Sequence, residues 1–231
     1  MRKLTTEQPD DLLCYSQRHI LRVYPGGFRI DSKNYEPQPA WECGCQFVAL
    51  NYQGNDKPVW LNNGLFRDNG GCGWVLKPPR MLRHDIGATV LRESQAQPSK
   101  VLTVELISGH CLPKPGGALK GEIIDPFIQI EVCGAEADAK SVQSAVVNDN
   151  GFNPVWNETF VFELSSPDTA IILFKVADKD FKGSEFIAQY AIRACNIRSG
   201  YRAIPLCKED GNMLDSAFLF VNITLQTTAA E

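Results

Sequence analysis

The runs Val101-Leu-Thr-Val-Glu-Leu-Ile107, Phe127-Ile-Gln-Ile-Glu-Val132 and Thr159-Phe-Val-Phe-Glu-Leu164 alternate apolar and polar residues with a period of two. That is the pattern of strands with one face buried and the other solvated. Each run stops at a turn signal: Ser108-Gly109, Cys133-Gly134 and Ser165-Ser166-Pro167. Ile171 to Val176 and Ala217 to Leu225 are further β-rich runs. Many short strands separated by turn residues predict an antiparallel sandwich over residues 100–226. A stretch of that length buries enough surface for a core of its own.

Upstream, the pattern changes. Ile20-Leu-Arg-Val-Tyr24 reads as a short strand ended by Pro25-Gly26-Gly27. Gln46-Phe-Val-Ala-Leu-Asn51 is nearly continuous in apolar residues, as a strand covered on both faces would be. Trp74-Val75-Leu76 is a third strand candidate, ended by Lys77-Pro78. Between them lie a helical turn near Pro39 to Glu42 and two turn-rich stretches, Leu61-Asn62-Asn63-Gly64 and Asp68-Asn69-Gly70-Gly71. Three short strands do not close a sheet, and a bare parallel edge invites aggregation. The first section, residues 1–80, is therefore expected to be a piece of a larger α/β domain. Residues from Pro78 onward, 81–99 above all, carry no sustained periodicity and read as a linker. Residues 227–231 form a short tail.

The chain has 231 residues, 44% of them hydrophobic and 22% charged, a globular composition that excludes wholesale disorder. Residues 1–99 hold 12 Lys+Arg against 10 Asp+Glu, whereas residues 100–231 hold 11 against 17. No basic stripe for nucleic acid emerges, and the acidic second part points to a cation site. No apolar run approaches the length of a membrane span. The polar start, with Arg2, Lys3, Glu7, Asp10 and Asp11, carries no secretory core, so a cytoplasmic location is expected. Eight cysteines without such a signal read as reduced, mostly buried thiols. Cys43-Gly44-Cys45 has no partner motif, and His19, His84 and His110 lack zinc spacing. The Asn157-Glu-Thr159 and Asn222-Ile-Thr224 sequons carry no weight in a cytosolic chain, and Gly70-Gly71-Cys72-Gly73 lacks the Lys-Ser/Thr of a phosphate loop.

Two residue groups carry chemistry. Asp178 and Asp180 sit two apart just past a strand, with Glu185 five residues on, Asp125 before the strand at Phe127 and Asp149 in the loop 148–151. Calcium takes about 6–8 oxygen ligands from loops of this kind. Ordinary solvated loop acids are the bland alternative. In the first section, Ile20, Arg22 and Tyr24 share one strand face, just before the break at Pro25. In a (β/α) barrel that end of a strand borders the active site. A guanidinium offers a planar fork of donors to phosphate, and a tyrosine ring stacks on a ligand ring. An arginine paired with an acid beside a packed tyrosine is the alternative, and residue type alone favours it.

Asn150-Gly-Phe-Asn-Pro-Val-Trp-Asn-Glu-Thr-Phe160, together with Ile124-Asp-Pro-Phe127 and Asp178-Lys-Asp180, resembles the signature of the C2 domain family. The resemblance implies an eight-stranded antiparallel β-sandwich. It also implies calcium held among Asp125, Asp149, Asp178, Asp180 and Glu185, with the carbonyl of Ile123 as a further ligand. Pro113 to Lys120 stands where many C2 domains carry an additional aspartate, which lowers the charge of the site.

Four further stretches resemble the Y half of phosphoinositide-specific phospholipase C, with a delta-like short tail. They are Arg22-Val-Tyr-Pro-Gly-Gly-Phe-Arg29, Asp31-Ser-Lys-Asn-Tyr-Glu-Pro-Gln-Pro39, Gly44-Cys-Gln-Phe-Val-Ala-Leu-Asn51 and Phe66 to Pro78. This likeness implies an incomplete carboxy-terminal portion of a TIM-type (β/α) barrel followed by the C2 domain. It implies hydrolysis of phosphatidylinositol 4,5-bisphosphate to diacylglycerol and inositol trisphosphate. Arg22 matches the arginine that grips a headgroup phosphate, Tyr24 the tyrosine that stacks on the inositol ring, and Phe28 an aromatic that dips into the bilayer. The acid–base histidines and the carboxylates of a catalytic calcium belong to the X half, expected upstream as the missing partner. Neither Arg22 nor Tyr24 is a base near neutral pH, so no catalytic residue is assigned here. Anionic membrane is the expected partner surface, with peripheral association. The alternative is a non-catalytic calcium- and phospholipid-binding C2 adaptor, or an inactive family member.

Overall fold

The computed structural model describes residues 2–26, 31–82, 100–117, 121–181 and 183–228. The first section contains α1 (Arg2–Glu7), α2 (Pro9–Arg18), β1 (Arg22–Val23), α3 (Gln38–Glu42), β2 (Phe47–Val48) and α4 (Lys57–Leu65). The second contains β3 (Lys100–His110), β4 (Pro126–Cys133), β5 (Lys140–Gln143), β6 (Val155–Leu164), β7 (Ile171–Asp180), β8 (Gly183–Arg193), β9 (Gly200–Cys207) and β10 (Met213–Thr227).

These eight strands are ordered β5-β4-β7-β8-β9-β10-β3-β6, with every neighbouring pair antiparallel. Only Gln189↔Cys207 links β8 to β9, so the order divides there into two layers. One core joins the layers: Ile128 and Ile130 of β4 and Phe174 and Val176 of β7 pack in the same cluster as Leu102 and Val104 of β3 and Leu219 and Val221 of β10. The alternation along β10 delivers Ala217, Leu219, Val221 and Ile223 to that core.

Strand β7 departs from alternation for a physical reason. Ile172, Phe174 and Val176 face the sandwich core, while Ile171 and Leu173 lie in a second cluster with Trp60, Leu61 and Ala191. Both faces are covered, so the run Ile171 to Phe174 is apolar throughout. The cover is α4. Pro58 opens this helix, where a missing N–H costs nothing. Trp60 stacks on Phe186 at 5.0 Å between centroids and donates its indole N–H to the carbonyl of Glu209 at 2.9 Å. Gly64 lets the helix touch the strand: a Cβ there would sit 2.6 Å from the Cβ of Ala191 and 2.9 Å from its carbonyl carbon and oxygen.

The seam is stitched by charge at its margins. Lys57 pairs with Glu131, Asp68 with Arg193, and Arg80 donates both to Glu42 at 3.3 Å and to the hydroxyl of Thr169 at 3.1 Å. Asp68 also accepts from the side chain of Asn196. Arg67 lies over the Tyr190 ring at 4.2 Å and donates to the carbonyl of Ala191.

Several expectations for the first section are corrected. Leu61-Asn62-Asn63-Gly64 is helical rather than turn-rich, because burial of Trp60, Leu61 and Gly64 on the sheet outweighs the weak propensity of Asn and Gly. The strand expected over Gln46 to Asn51 shrinks to Phe47–Val48, and Phe47 is half exposed because β2 has β1 alone as its ladder partner. The strand at Ile20 to Tyr24 shrinks to Arg22–Val23. Trp74-Val75-Leu76 forms no ladder with the described strands and leaves Trp74 and Leu76 exposed. At the start of the linker, Pro79–Met81 makes a 3₁₀ turn that buries Met81; residues 83–99 lie outside the described residues.

The Gly64 contact makes a sharp prediction. Alanine gains about 1 kcal/mol of helix propensity over glycine, but overpacking against a backbone costs about 1–3 kcal/mol. Gly64→Ala is therefore expected to lower the urea midpoint of unfolding. Adding Ala191→Gly, which removes the opposing methyl, recovers part of the loss.

Candidate functional site

Two ends of the molecule gather polar side chains. At the first, β1 and β2 run parallel, with Arg22↔Phe47 and Val23↔Val48 in register. The Phe47 N–H donates to Leu21 O at 3.0 Å and the Ala49 N–H to Val23 O at 2.8 Å. Val23 is the anchor: it is buried in a cluster with Leu12, Ala40, Cys43 and Cys45. A buried Val23 turns its two neighbours outward by the period of two. Arg22 and Tyr24 are accordingly exposed, Tyr24 at 66%. The Arg22 guanidinium carbon lies 5.6 Å from the Tyr24 ring centroid, within cation–π range. No acidic side chain among the described residues forms a salt bridge with Arg22. The pair is a cation and a ring side by side, both exposed. Phe28 lies outside the described residues.

The strand end is enclosed by residues that sequence reasoning passed over. The Asn34 carboxamide accepts from the Asn51 N–H at 2.6 Å and donates to Asn51 O at 2.8 Å and to Asp56 at 2.9 Å. The Asn34 N–H donates to the other Asp56 oxygen at 3.1 Å. Asn51 in turn donates its side-chain N–H to Ser32 O at 3.1 Å. Tyr35 donates its hydroxyl to Val23 O at 3.2 Å, and burial pushes that phenol up to about 12. The signal available in the sequence was the recurrence of short amides in two loops, which also marks ordinary turns.

At the second end, ladder topology brings the acids of the sandwich together. Asp178 lies opposite Pro126 on one side and Glu185 on the other. Its carboxylate accepts the Asp125 N–H at 2.7 Å, and the Asp125 carboxylate accepts the Asp149 N–H at 2.7 Å. The Lys179 N–H donates to Asp125 O at 3.0 Å. Asp178 is buried, whereas Asp149, Asp180 and Glu185 are exposed. Burial raises the Asp178 carboxyl above its ordinary value, and the neighbouring charges of Asp180 and Asp125 push the same way against the Asp125 hydrogen bond. Asp178 and Asp180 stand within the end of β7 rather than beyond it.

The donor chemistry suits a hard cation, since these are carboxylate and carbonyl oxygens. The assembly falls short of a cage. Among the described residues no three His, Cys, Asp or Glu side chains stand close enough to hold one metal ion. One oxygen each of Asp125 and Asp178 is already committed to a backbone amide. Around the acids, Ile123, Phe152 and Phe181 are exposed apolar tips at 55%, 74% and 106%. The Asn150 N–H bond to Ile124 O at 3.1 Å fixes two of these loops to each other.

Comparison with known proteins relates each section to a family. Residues 1–80 match the model of the phosphatidylinositol-specific phospholipase C Y domain, and residues 100–205 that of the C2 domain. The chain is 39% identical over 227 residues to a 1-phosphatidylinositol 4,5-bisphosphate phosphodiesterase of Dictyostelium discoideum, covering 97% of this chain and 28% of the relative. It is 39% identical over 226 residues to the human eta-1 phosphodiesterase, covering 96% of this chain and 13% of that one. It is also 38% identical over 227 residues to inactive phospholipase C-like protein 2 of Mus musculus, covering 96% and 20%. The crystal structure of L. pealei PLC21 superposes with a TM-score of 0.84 at 31% identity, covering all of this chain and 29% of that one. The chain thus spans less than a third of the length of each of these relatives. With a first section that matches the Y domain, a second that matches the C2 domain and relatives aligned along nearly all of its length, the chain belongs to the phosphoinositide-specific phospholipase C family.

Proposed function

We propose that this chain is the carboxy-terminal part of an enzyme that hydrolyses phosphatidylinositol 4,5-bisphosphate, contributing headgroup recognition and membrane docking. The observation that carries this is the Arg22–Tyr24 pair, an exposed guanidinium with no salt-bridged acid among the described residues, beside an exposed ring at the end of β1. Arg22 grips a phosphate with its fork of donors, and Tyr24 stacks on the inositol ring. Proton transfer and the catalytic calcium are the business of an amino-terminal barrel half. That half covers the apolar surface that this section exposes at Ile20, Phe47, Trp74 and Leu76. The two strands β1 and β2 become part of a TIM-type barrel when the partner half closes it. Phe28 joins the membrane-facing edge.

The C2 section docks on anionic membrane at its acidic end, and the association is peripheral. No helix among the described residues is long and apolar enough to cross a membrane. Bound calcium would supply positive charge between these carboxylates and an anionic lipid surface. Asp125, Asp149, Asp178, Asp180, Glu185 and the carbonyl of Ile123 are the groups that would hold it, and the exposed Phe152 and Phe181 would enter the interface beside them. A second reading follows from the match to an inactive relative: the same docking without hydrolysis, in a calcium- and phospholipid-binding adaptor.

Three measurements test these readings. In the complete enzyme, Arg22→Ala removes a charge-assisted hydrogen bond worth about 1.5–3 kcal/mol, so turnover of the bisphosphate lipid falls about ten- to a hundredfold. Turnover of unphosphorylated phosphatidylinositol changes little; equal loss on both lipids rejects headgroup recognition.

Co-sedimentation of the chain with phosphatidylserine vesicles is expected to need calcium and to vanish in the Asp178→Asn, Asp180→Asn double variant. Calcium-dependent binding by a full-length protein that hydrolyses no phosphoinositide selects the adaptor.

Without calcium, a carboxyl whose folded-state pKa lies above the unfolded one holds its proton more tightly when folded. Stability then falls as pH rises from the unfolded value through the folded one. Asp178→Asn keeps an acceptor for the Asp125 N–H and removes this penalty. Its thermal midpoint in EDTA should exceed that of the native chain at pH 7, with the gap closing as pH is lowered into the ordinary carboxylate range.

A further inference from the structure

The parallel ladder of β1 and β2 stops where the chain runs into Tyr24 and Pro25. Its last backbone bond joins the Ala49 N–H to Val23 O. Proline has no N–H to extend such a ladder. Two residues further along the second limb, Asn51 nevertheless has both its backbone groups satisfied, by the side chain of Asn34. A carboxamide has the same donor and acceptor as a peptide unit. Here it occupies the place of the missing strand residue. Asp56 holds that carboxamide and the Asn34 N–H at once, through its two oxygens. Tyr35, the next residue, ties back to Val23 O, the same carbonyl that ends the ladder.

The consequence falls on Tyr24. Behind it the chain is fixed by the ladder and by buried Val23. Further along the chain, Ser32, Asn34 and Tyr35 are each hydrogen-bonded back to Asn51 or Val23. We propose that Asn34 is a positioning residue for headgroup recognition: its carboxamide, clamped by Asp56, replaces a rung of the ladder beyond Val48 and so holds Arg22 and Tyr24 side by side at the strand end. This rests on the headgroup reading of Arg22 and Tyr24. It adds a residue which touches no ligand and acts through its bonds to Asn51 and the bond of its neighbour Tyr35 to Val23 O. The alternative is a staple that helps the first section fold and leaves the strand end indifferent.

Nuclear magnetic resonance on the full 231-residue chain separates the two. In the native chain, the Asn51 amide is protected from exchange, and the Arg22 side chain shows contacts to the Tyr24 ring. In Asn34→Ala the Asn51 amide becomes unprotected and the Arg22–Tyr24 contacts disappear, while the Phe47 and Ala49 amides of the ladder stay protected. Asn34→Asp with Asp56→Asn, which rebuilds the 34–56 bond and the acceptor for Asn51, recovers part of both signals. Persistence of the Arg22–Tyr24 contacts in Asn34→Ala overturns the proposal. So does their loss together with the ladder, which means that the section has unfolded and that Asn34 is a staple.

Titration with inositol 1,4,5-trisphosphate adds the functional arm. Asn34→Ala is expected to weaken the response of the Tyr24 resonances about fivefold, as for one lost hydrogen bond, and Arg22→Ala to abolish it. A native-like titration in Asn34→Ala with loss in Arg22→Ala overturns positioning and leaves headgroup recognition standing. Indifference to Arg22→Ala overturns headgroup recognition, and the contact measurement then decides whether Asn34 orders the pair.

Discussion

Close approach of α4 to β8 is the contact on which the arrangement of the whole chain rests. A helix can lie on a sheet at that distance only if one of the facing residues has no side chain, and Gly64 is that residue. The approach lets Trp60 reach Phe186 and the Glu209 carbonyl, and lets Leu61 become fully buried against Ile171 and Leu173. Moving α4 outward by the radius of a methyl would loosen all of these together, since packed interiors have few voids to absorb a shift. The first section has a small core of its own, centred on Val23, Leu12 and the two buried thiols. The sandwich therefore serves as its second wall.

Charge defines where that wall meets the first section. The pairs Lys57–Glu131 and Asp68–Arg193 lie at the seam, with Glu42 and Arg80 reaching Thr169 nearby. Buried ion pairs add little net stability, because desolvation offsets their attraction. Burial raises the Glu42 carboxyl above its ordinary range, a sign of that cost. One oxygen of Glu42 and the Nε atoms of Arg80 and Arg193 also lack hydrogen-bond partners. What such pairs supply is registry: a shifted first section would part the largely buried Asp68 and Arg193, at a cost larger than the pair contributes when made. Apolar contact brings the sections together, and ion pairs select one way of doing so.

That division explains which parts of the fold were legible. Strands with one wet face, β3, β4, β6 and β10, announce themselves by alternation. β8 does not, because Ile187, Ala188, Gln189 and Ala191 are buried on both sides of the strand, partly by α4. β9 contains Pro205, which weakens any strand reading; it is tolerated beside the irregular register between Met213 and Phe218. α4 was hidden by Asn62, Asn63 and Gly64, residues that normally mark a turn. Its tertiary role, contact with β7 and β8, lies more than a hundred residues away in sequence and leaves no local trace. The acids of the sandwich were legible as a set. Their use as acceptors for backbone amides was not, because it depends on which loops face each other.

The same limit bears on Asn34 and Asp178, and it shows how such sites are built. Each side chain bonds backbone across a gap between segments: Asn34 to Asn51, Asp178 to Asp125. Each sits at the end of a ladder, where backbone groups lose their regular partners and must find others or remain unsatisfied. Functional groups collect at these ends because strands stop there and side chains point into open space. A polar residue at a strand end therefore serves the backbone before it serves a ligand. Asp178 is buried by doing so and retains a raised affinity for its proton. Arg22, flanking buried Val23, is exposed beside the Tyr24 ring and makes no salt bridge with an acid among the described residues. The difference between the two ends follows from this: one presents an exposed cation, whereas the other spends carboxylate oxygens on backbone amides and gathers no three acids close enough for a metal ion among the described residues.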